Sequence, residues 1–358
     1  MTDPAYVALA LVPGIGRVRL EVLLGACESP AAVFAAPARH LAGLSGMGRA
    51  AATAIHATDP ASGERVIART ERAGGHVLAP DDPRFPPALR EIPDAPTLLF
   101  AAGDLARLRR PAVAIVGSRS HTRYGGEACR HFAGGLARAG LVVVSGMARG
   151  IDALAHGAAL DAGGGTVGIL GNGLGVVYPA ANRALYERVL RDGCLLTEHP
   201  PGERPHAGSF PRRNRMISGL ARVTVVVEAR ERSGALITAD CALTQGHDVL
   251  AVPGPITSPA SVGCNRLIQL GAKPALGLRD VLEEYGIRLP RVASAALPND
   301  LSPEERGVLD LLAGGEEHVD ALAARLGRPA AETLAVLTSL EIRGLVGQAP
   351  GKLFSRER

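Results

Sequence analysis

The sequence predicts an α/β fold: a doubly wound parallel sheet with a small helical N-terminal domain and a C-terminal winged helix. Three observations carry this. First, apolar runs of strand length recur at Ala112–Val116, Leu141–Val144, Thr166–Leu170, Cys194–Thr197, Val223–Val227 and Asp248–Val252, in alternation with helical patterns. Second, these runs give way to polar turns bearing glycine or proline, the joins of the strand–turn–helix units that build parallel sheets. Third, residues 301–358 hold three helical patterns and a turn at Pro350-Gly351, the plan of a winged helix.

The chain of 358 residues is long enough for two or three domains. Boundaries are expected at 1–75 (helical), 76–287 (sheet), 288–300 (linker) and 301–358 (winged helix). In the first segment, Gly14-Ile15-Gly16 and Gly46-Met47-Gly48 each stand between helical patterns, as in a helix-hairpin-helix (SAM-like) element. Two readings stand for these turns: amides presented to a nucleic-acid phosphate, or tight turns of a small helical bundle. Ala79–Pro87 is rich in proline and reads as extended. Thr97–Phe100 reads as a strand. From Ala112 the six strands alternate with helices near 181–191, 234–246 and 261–271, so the sheet is larger than a minimal Rossmann domain. The segment RLPRVASAALPND reads as the linker. Ser302-Pro303-Glu304-Glu305 then opens the first helix of the winged helix.

Hydrophobic residues make up 47% of the chain, enough for a well-buried core, yet the apolar runs are too short to span a membrane. The N-terminus lacks the basic-then-apolar plan of a signal peptide. The five cysteines are scattered, which suits reduced core thiols in a cytosolic protein. No metal-ligand spacing and no cofactor motif is present. The net charge is +4, but it is unevenly spread: 25 basic and 20 acidic residues in 76–300, against seven and nine in 301–358. The acidic balance of the winged helix disfavours duplex DNA and leaves a protein contact at least as open.

In a doubly wound sheet, ligands bind beyond the carboxyl ends of the strands. There the sequence places Gly117-Ser118-Arg119-Ser120 and Ser145-Gly146-Met147-Ala148-Arg149-Gly150. Each turn combines glycine, hydroxyl and guanidinium at a helix start, which suits phosphate. Phe210-Pro211-Arg212-Arg213-Asn214-Arg215 is the densest basic cluster and suits a polyanion backbone. Asn172 in GNGLG can bond a phosphate, sugar or base edge. Aromatics are only 3% of the chain, with Phe210, Tyr124 and Tyr178 the candidates for a base stack. The first turn is not GxGxxG and the second strand ends at Ser145 rather than an acid, which argues against NAD. Asp152 and His156 share a helix face. They read better as a helix-start acid and a buried histidine than as an acid–base pair, because no nucleophile motif accompanies them. Glu198 and Glu228 end strands and are expected to organise the neighbouring arginines.

Together these segments resemble the DNA-processing protein A (DprA/Smf) family. The matching residues are IVGSR at 115–119, SGMARGIDALAH at 145–156, GNGLGVVYP at 171–179, FPRRNRMISGL at 210–220, SGALITA at 233–239 and GCNRLIQLGA at 263–272. The resemblance implies a cytoplasmic, non-enzymatic protein with an extended Rossmann-like core. It implies binding and protection of single-stranded DNA, help in loading the RecA recombinase during natural transformation, and work as a homodimer. Carried over by motif, Arg119, Ser145, Gly146, Arg149 and Arg212 to Arg215 line the DNA path. Cys264, Asn265, Leu267, Ile268 and Leu270 lie at or near the dimer contact. Many relatives carry a DNA-binding lysine where this chain has Ala180, and Arg183 is the candidate substitute. The alternative is a nucleotide-processing enzyme of the lysine-decarboxylase-like (LOG) type. Against it, SGALITAD at 233–240 lacks the PGGxGT pattern of those enzymes.

Overall fold

The computed structural model describes residues 2–287, 298 and 300–356. It divides into two compact units, Met1–Arg288 and Leu289–Arg358. The linker expected at 288–300 lies outside the described residues except for 298 and 300.

The first unit opens with six helices: α1 (Pro4–Ala10), α2 (Arg17–Ala26), α3 (Pro30–Ala35), α4 (Ala38–Gly43), α5 (Gly48–Ala57) and α6 (Ser62–Arg72). Asp3 and Ser29 cap α1 and α3, each followed by a proline in the first turn, where its missing N–H costs nothing. The two glycine turns join α1 to α2 and α4 to α5. Arg19 braces them together, with Nε donating to the Gly46 carbonyl at 2.8 Å and Nη1 to the Gly14 carbonyl at 2.7 Å.

The sheet follows: β1 (Gly75–Leu78), α7 (Pro87–Glu91), β2 (Leu99–Gly103), β3 (Ala112–Gly117), α8 (Arg123–Arg138), β4 (Val142–Ser145), α9 (Ile151–Asp161), β5 (Thr166–Ile169), α10 (Arg183–Asp192), β6 (Cys194–Thr197), α11 (Ser209–Gly219), β7 (Val223–Glu228), α12 (Gly234–Thr244), β8 (Asp248–Ala251), α13 (Val262–Gln269), β9 (Lys273–Pro274) and α14 (Leu278–Glu284). All six strands expected from Ala112 onward form. The strand expected at Thr97–Phe100 lies slightly later, as β2. Two strands carry too little pattern to be read in advance. β1 is four residues directly after a helix, and β9 is two residues at the sheet edge.

The strand order is β1-β2-β6-β5-β4-β3-β7-β8-β9. Pairings from β6 to β9 are parallel, while β1–β2 and β2–β6 are antiparallel. The chain steps outward from β3 through β4 and β5 to β6, then returns to β7 on the other side of β3. Winding therefore reverses between β3 and β7, and that switch point is where such sheets open a crevice.

Alternate residues of the central strands serve the two helical layers, as the two-residue period of a strand requires. Val113, Ile115, Val143 and Val225 pack with Phe132, Leu136 and Val281 from α8 and α14. Ala114, Val116, Val144 and Val226 pack with Met216, Ala239 and Cys264 from α11, α12 and α13. Each fully buried Val or Ile contributes about 2 kcal/mol. Cys27, Cys129, Cys194 and Cys264 are buried and free, whereas Cys241 on α12 is half-buried. Burial pushes the thiols of Cys129, Cys194 and Cys264 up to about 12.

The second unit comprises α15 (Pro303–Leu312), β10 (Glu317–His318), α16 (Val319–Leu326), α17 (Ala330–Ile342), β11 (Val346–Ala349) and β12 (Leu353–Arg356). Ser302 and Glu305 form a capping box at α15. The strands form a three-stranded sheet in the order β10-β12-β11. Val308, Leu309, Leu322, Leu337, Leu340 and Phe354 fill its core. The helix α17 carries Glu332 and Glu341 and no basic residue. Among the described residues, no helix is long and apolar enough to cross a membrane.

Candidate functional site

A cleft of about 780 Å³ opens at the switch point. The end of β3, the loop after β7 and the starts of α11 and α12 line it, through Ser118, Arg119, Phe210, Asn214, Arg230 and Arg232 among others. Its ionisable lining is four arginines (Arg119, Arg213, Arg230, Arg232) against one aspartate, Asp152, plus His206. Another cavity, near α1 and α2, has the opposite balance: Asp3, Glu21, Glu28 and Asp81 against Arg17 and Arg90. Of these two, the cleft is the one whose charge suits an anionic ligand.

The loop after β3 is held from several sides. The Ser118 amide donates to the Glu228 carbonyl at 2.7 Å, and its hydroxyl accepts from the Ser120 amide. Glu228 accepts from the Thr122 amide at 2.9 Å and the Thr122 hydroxyl at 2.6 Å, while Thr122 caps α8. Glu228 thus fixes the loop, not an arginine as the sequence suggested. The loops after β3 and β4 are locked together where Ile151 donates its amide to the Ser118 carbonyl at 3.1 Å. Gly150 makes this possible. It sits at φ +78°, and a side chain there would run into the backbone of Ser118 and Arg119.

Arg119 is exposed, with its guanidinium 5.9 Å from the centre of the Phe210 ring. Tyr178 packs on Phe210 in turn, its ring centre 5.5 Å from that of Phe210. Arginine and two rings on one wall offer both a charge and a stacking surface. Tyr124 points elsewhere and donates to the Pro253 carbonyl at 2.7 Å.

The basic cluster on α11 splits. Arg212 is exposed. Arg213 is 5% exposed and lies under the β4 loop, donating to the Gly146 and Ile169 carbonyls. Burial lowers its pKa to about 10. Gly146 leaves it the room, since a side chain there would occupy the guanidinium's place. Asn214 reaches the Gly234 carbonyl at 3.3 Å. Arg215 is 8% exposed and paired with Glu198 at 2.6 Å and Asp94 at 3.1 Å, so Glu198 does organise an arginine. Arg215 lines a neighbouring cavity rather than the cleft, and Arg149 is exposed but is not part of the cleft lining. The expected convergence of Arg119, Arg149 and Arg215 on one groove is therefore incomplete.

Several other expected site residues act within the fold. Ser145 is fully buried and donates to the Ile115 carbonyl at 2.7 Å. Asn172 is buried and donates to the Val176 carbonyl at 2.8 Å. Gly117 packs against Ile151. Arg183 is exposed at the start of α10 outside the cleft lining, where its neighbour Asn182 ties that loop to the Met147 carbonyl at 2.9 Å. Asp152 is buried at the start of α9, and burial raises its carboxyl pKa. His156 is fully buried, and burial lowers its pKa to about 3. The Thr166 hydroxyl donates to the Val143 carbonyl, so it accepts from His156 Nδ1 at 2.7 Å and fixes the tautomer. Both residues fit the structural reading of the pair.

Arg230, Arg232 and the N-terminus of α12, capped by Ser233, were not read as site residues in advance. The usable signal was the Arg-Glu-Arg-Ser-Gly run after an apolar strand, which marks another strand-end loop and helix start. Among the described residues, no cluster of His, Cys, Asp and Glu could hold a metal ion.

A doubly wound sheet with an arginine-rich, aromatic-walled crevice at its switch point defines a class of α/β proteins suited to polyanionic ligands. Residues 76–286 match the family model described as DNA recombination-mediator protein A, and residues 292–352 match the DprA winged helix domain. The chain is 40% identical over 289 residues to Protein Smf of Escherichia coli, covering 78% of this chain and 77% of that protein. It is 47% identical over 204 residues to DNA processing protein DprA of Streptococcus pneumoniae, covering 57% and 72%. The solved structure of DprA from Streptococcus pneumoniae superposes with a TM-score of 0.70 at 37% identity, covering 79% of this chain and 98% of the other. DNA processing protein A from Helicobacter pylori, described for its single-stranded DNA binding mode, gives 0.54 at 28% identity, covering 59% and 95%. The chain belongs to the DNA recombination-mediator protein A (DprA/Smf) family.

Proposed function

We propose that this chain binds single-stranded DNA in the switch-point cleft. The observation that carries the reading is the pairing of exposed Arg119 with the Phe210 and Tyr178 rings on one wall. A charge for the backbone there stands beside a surface for a base. Gly117, Ser118, Gly146 and Gly150 shape the loops. Arg119, Arg230, Arg232 and Asn214 meet the strand in the cleft, with Arg149, Arg183 and Arg212 beyond it on its path. Arg213 and Arg215 support it from within the fold. The single-stranded DNA binding described for the Helicobacter pylori relative supports the same reading.

In the cell, the chain shields the bound strand and helps load the RecA recombinase, in keeping with its family of recombination mediators. It acts in the cytoplasm as a homodimer and without catalysis. The α13 helix suits the contact between copies: Leu270 is 69% exposed and Ile268 partly so. Cys264 and Leu267 are buried in the core, and Asn265 is bonded to the Gly254 backbone, so they support that surface from behind.

The test is a salt-dependent titration with single-stranded oligonucleotide, comparing wild type with Arg119→Ala. Loss of one phosphate contact lowers the slope of log K against log salt by about 0.7. The variant weakens binding and flattens that slope while melting at the wild-type temperature. Equal affinities and slopes for the two proteins overturn the reading.

A further inference from the structure

The acid-rich cavity near α1 and α2 shares no lining residue with the cleft. Its volume is about 670 Å³, within the range of sites that hold small molecules. One side is Leu20, Glu21 and Leu24 of α2, with Glu28 and Pro30 just beyond that helix. The other side is two proline-bearing loops, Ala79–Asp81 after β1 and Ala95–Thr97 before β2. Tyr6 of α1 also lines the cavity and donates its hydroxyl to the Thr97 carbonyl at 3.0 Å. Leucines, the Tyr6 ring and three prolines make the walls largely apolar, and prolines have little side-chain freedom to lose when a ligand settles on them.

The charges around these walls do not balance. Arg17 is spent on Glu21 at 2.8 Å. Arg90 donates to the Asp82 carbonyl at 2.9 Å and lies over the Phe85 ring. Asp3 accepts from the Ala5 amide at 2.8 Å, a bond that leaves its charge in place. Glu28 and Asp81, from opposite sides, are exposed and stand in no ion pair among the described residues. The negative field reaches the interior: burial first, then the charges of Asp81 and Glu21, raise the pKa of the Tyr6 hydroxyl. Apolar walls beside uncompensated carboxylates disfavour an anion and suit a cation carried on an apolar stem.

We propose that this cavity binds a small amphiphilic cation, an ammonium group on a short apolar stem. The stem lies on Leu20, Leu24 and the prolines, and the cationic head meets Glu28 and Asp81. Because helical region and sheet loops both line the cavity, the bound cation stabilises their packing. This inference does not rest on the single-strand reading of the cleft.

Calorimetric titration with hexylammonium chloride tests it, with 1-hexanol and sodium hexanoate as the neutral and anionic counterparts. Hexylammonium binds more tightly than either and raises the melting temperature, which they do not. Shortening the stem to butylammonium weakens binding by about fourfold for each methylene removed. Glu28→Gln and Asp81→Asn are substitutions at exposed positions, so each variant keeps its fold, and each binds hexylammonium about threefold more weakly. The double variant binds it about tenfold more weakly and no better than it binds 1-hexanol. Hexylammonium affinity equal to that of 1-hexanol in the wild type, or indifferent to both substitutions, overturns the proposal. Charge-dependent binding of an acetylated Pro-Leu-Lys-Leu peptide without binding of hexylammonium also overturns it, by making the occupant a protein segment.

Discussion

Arg215 donates from Nη2 to Glu198 Oε1 across 2.6 Å, and both side chains are nearly out of solvent at 10% and 13% exposure. This ion pair joins the middle of α11 to the end of β6. By sequence, Arg215 is one of four cluster residues facing nucleic acid. In the structure it is committed to holding the rim in place.

Arg215→Ala is therefore a folding variant before it is a binding variant. Removing one partner leaves Glu198 largely buried without its countercharge, at a cost of about 3 kcal/mol or more. The urea midpoint falls well below that of wild type. The double variant Arg215→Met with Glu198→Leu recovers a large part of the loss. A single Arg215→Ala variant as stable as wild type refutes this assignment.

Gly150 keeps the loops after β3 and β4 in register. Gly150→Ala forces a Cβ into the Ser118–Arg119 backbone at a positive φ, and costs more than about 1 kcal/mol. Because Arg119 rides on the displaced segment, single-strand affinity falls as well. Thermal melts and titrations of the same preparation show both effects.

His156 gives the fold an acid-side weakness. Its folded pKa is lowered to about 3, whereas the unfolded histidine protonates near 6.5. Between those values the unfolded chain binds the extra proton, so this contribution to stability falls as pH drops from about 6.5 toward 3. Asp152 acts in the opposite direction. Its carboxyl pKa is raised in the fold, so its contribution is lost as pH rises above about 3.8. Urea midpoints of wild type and His156→Gln at pH 7 and pH 5 isolate the histidine. The wild type loses more stability on acidification than the variant does.

On the proposed reading, the winged helix adds little to single-strand affinity. Its α17 carries two glutamates and no base, and Arg325, Arg328 and Arg343 are paired with Glu317, Glu304 and Asp300. A chain ending at residue 300 keeps wild-type affinity for single-stranded DNA within about twofold, as an acidic module contributes no counterion release. A tenfold loss on truncation moves the binding site to that unit.

The sheet was legible because each central strand is a β-branched run closed by a polar turn, and that local pattern survives without tertiary context. The winged helix was equally legible from its three helical patterns and the turn at Pro350-Gly351, with Ser-Pro-Glu-Glu marking the start of the first helix. The division of the α11 arginines was not. Arg212 and Arg213 are adjacent in sequence, and only the gap above Gly146, on another element, decides that Arg213 turns inward. Asn172 was misjudged for the same reason, since its acceptor at Val176 exists only once the loop has closed. Arg230 and Arg232 went unread because a lone Arg-Glu-Arg run resembles any solvated surface until β7 is placed beside β3.

The uneven burial of the cysteines has a practical consequence. Four of the five sulfurs are sealed inside hydrocarbon, while Cys241 stands half-open on the helix whose start forms one lip of the cleft. A maleimide fluorophore added to the native, unmutated chain should settle on that position alone, giving a built-in optical reporter of strand occupancy.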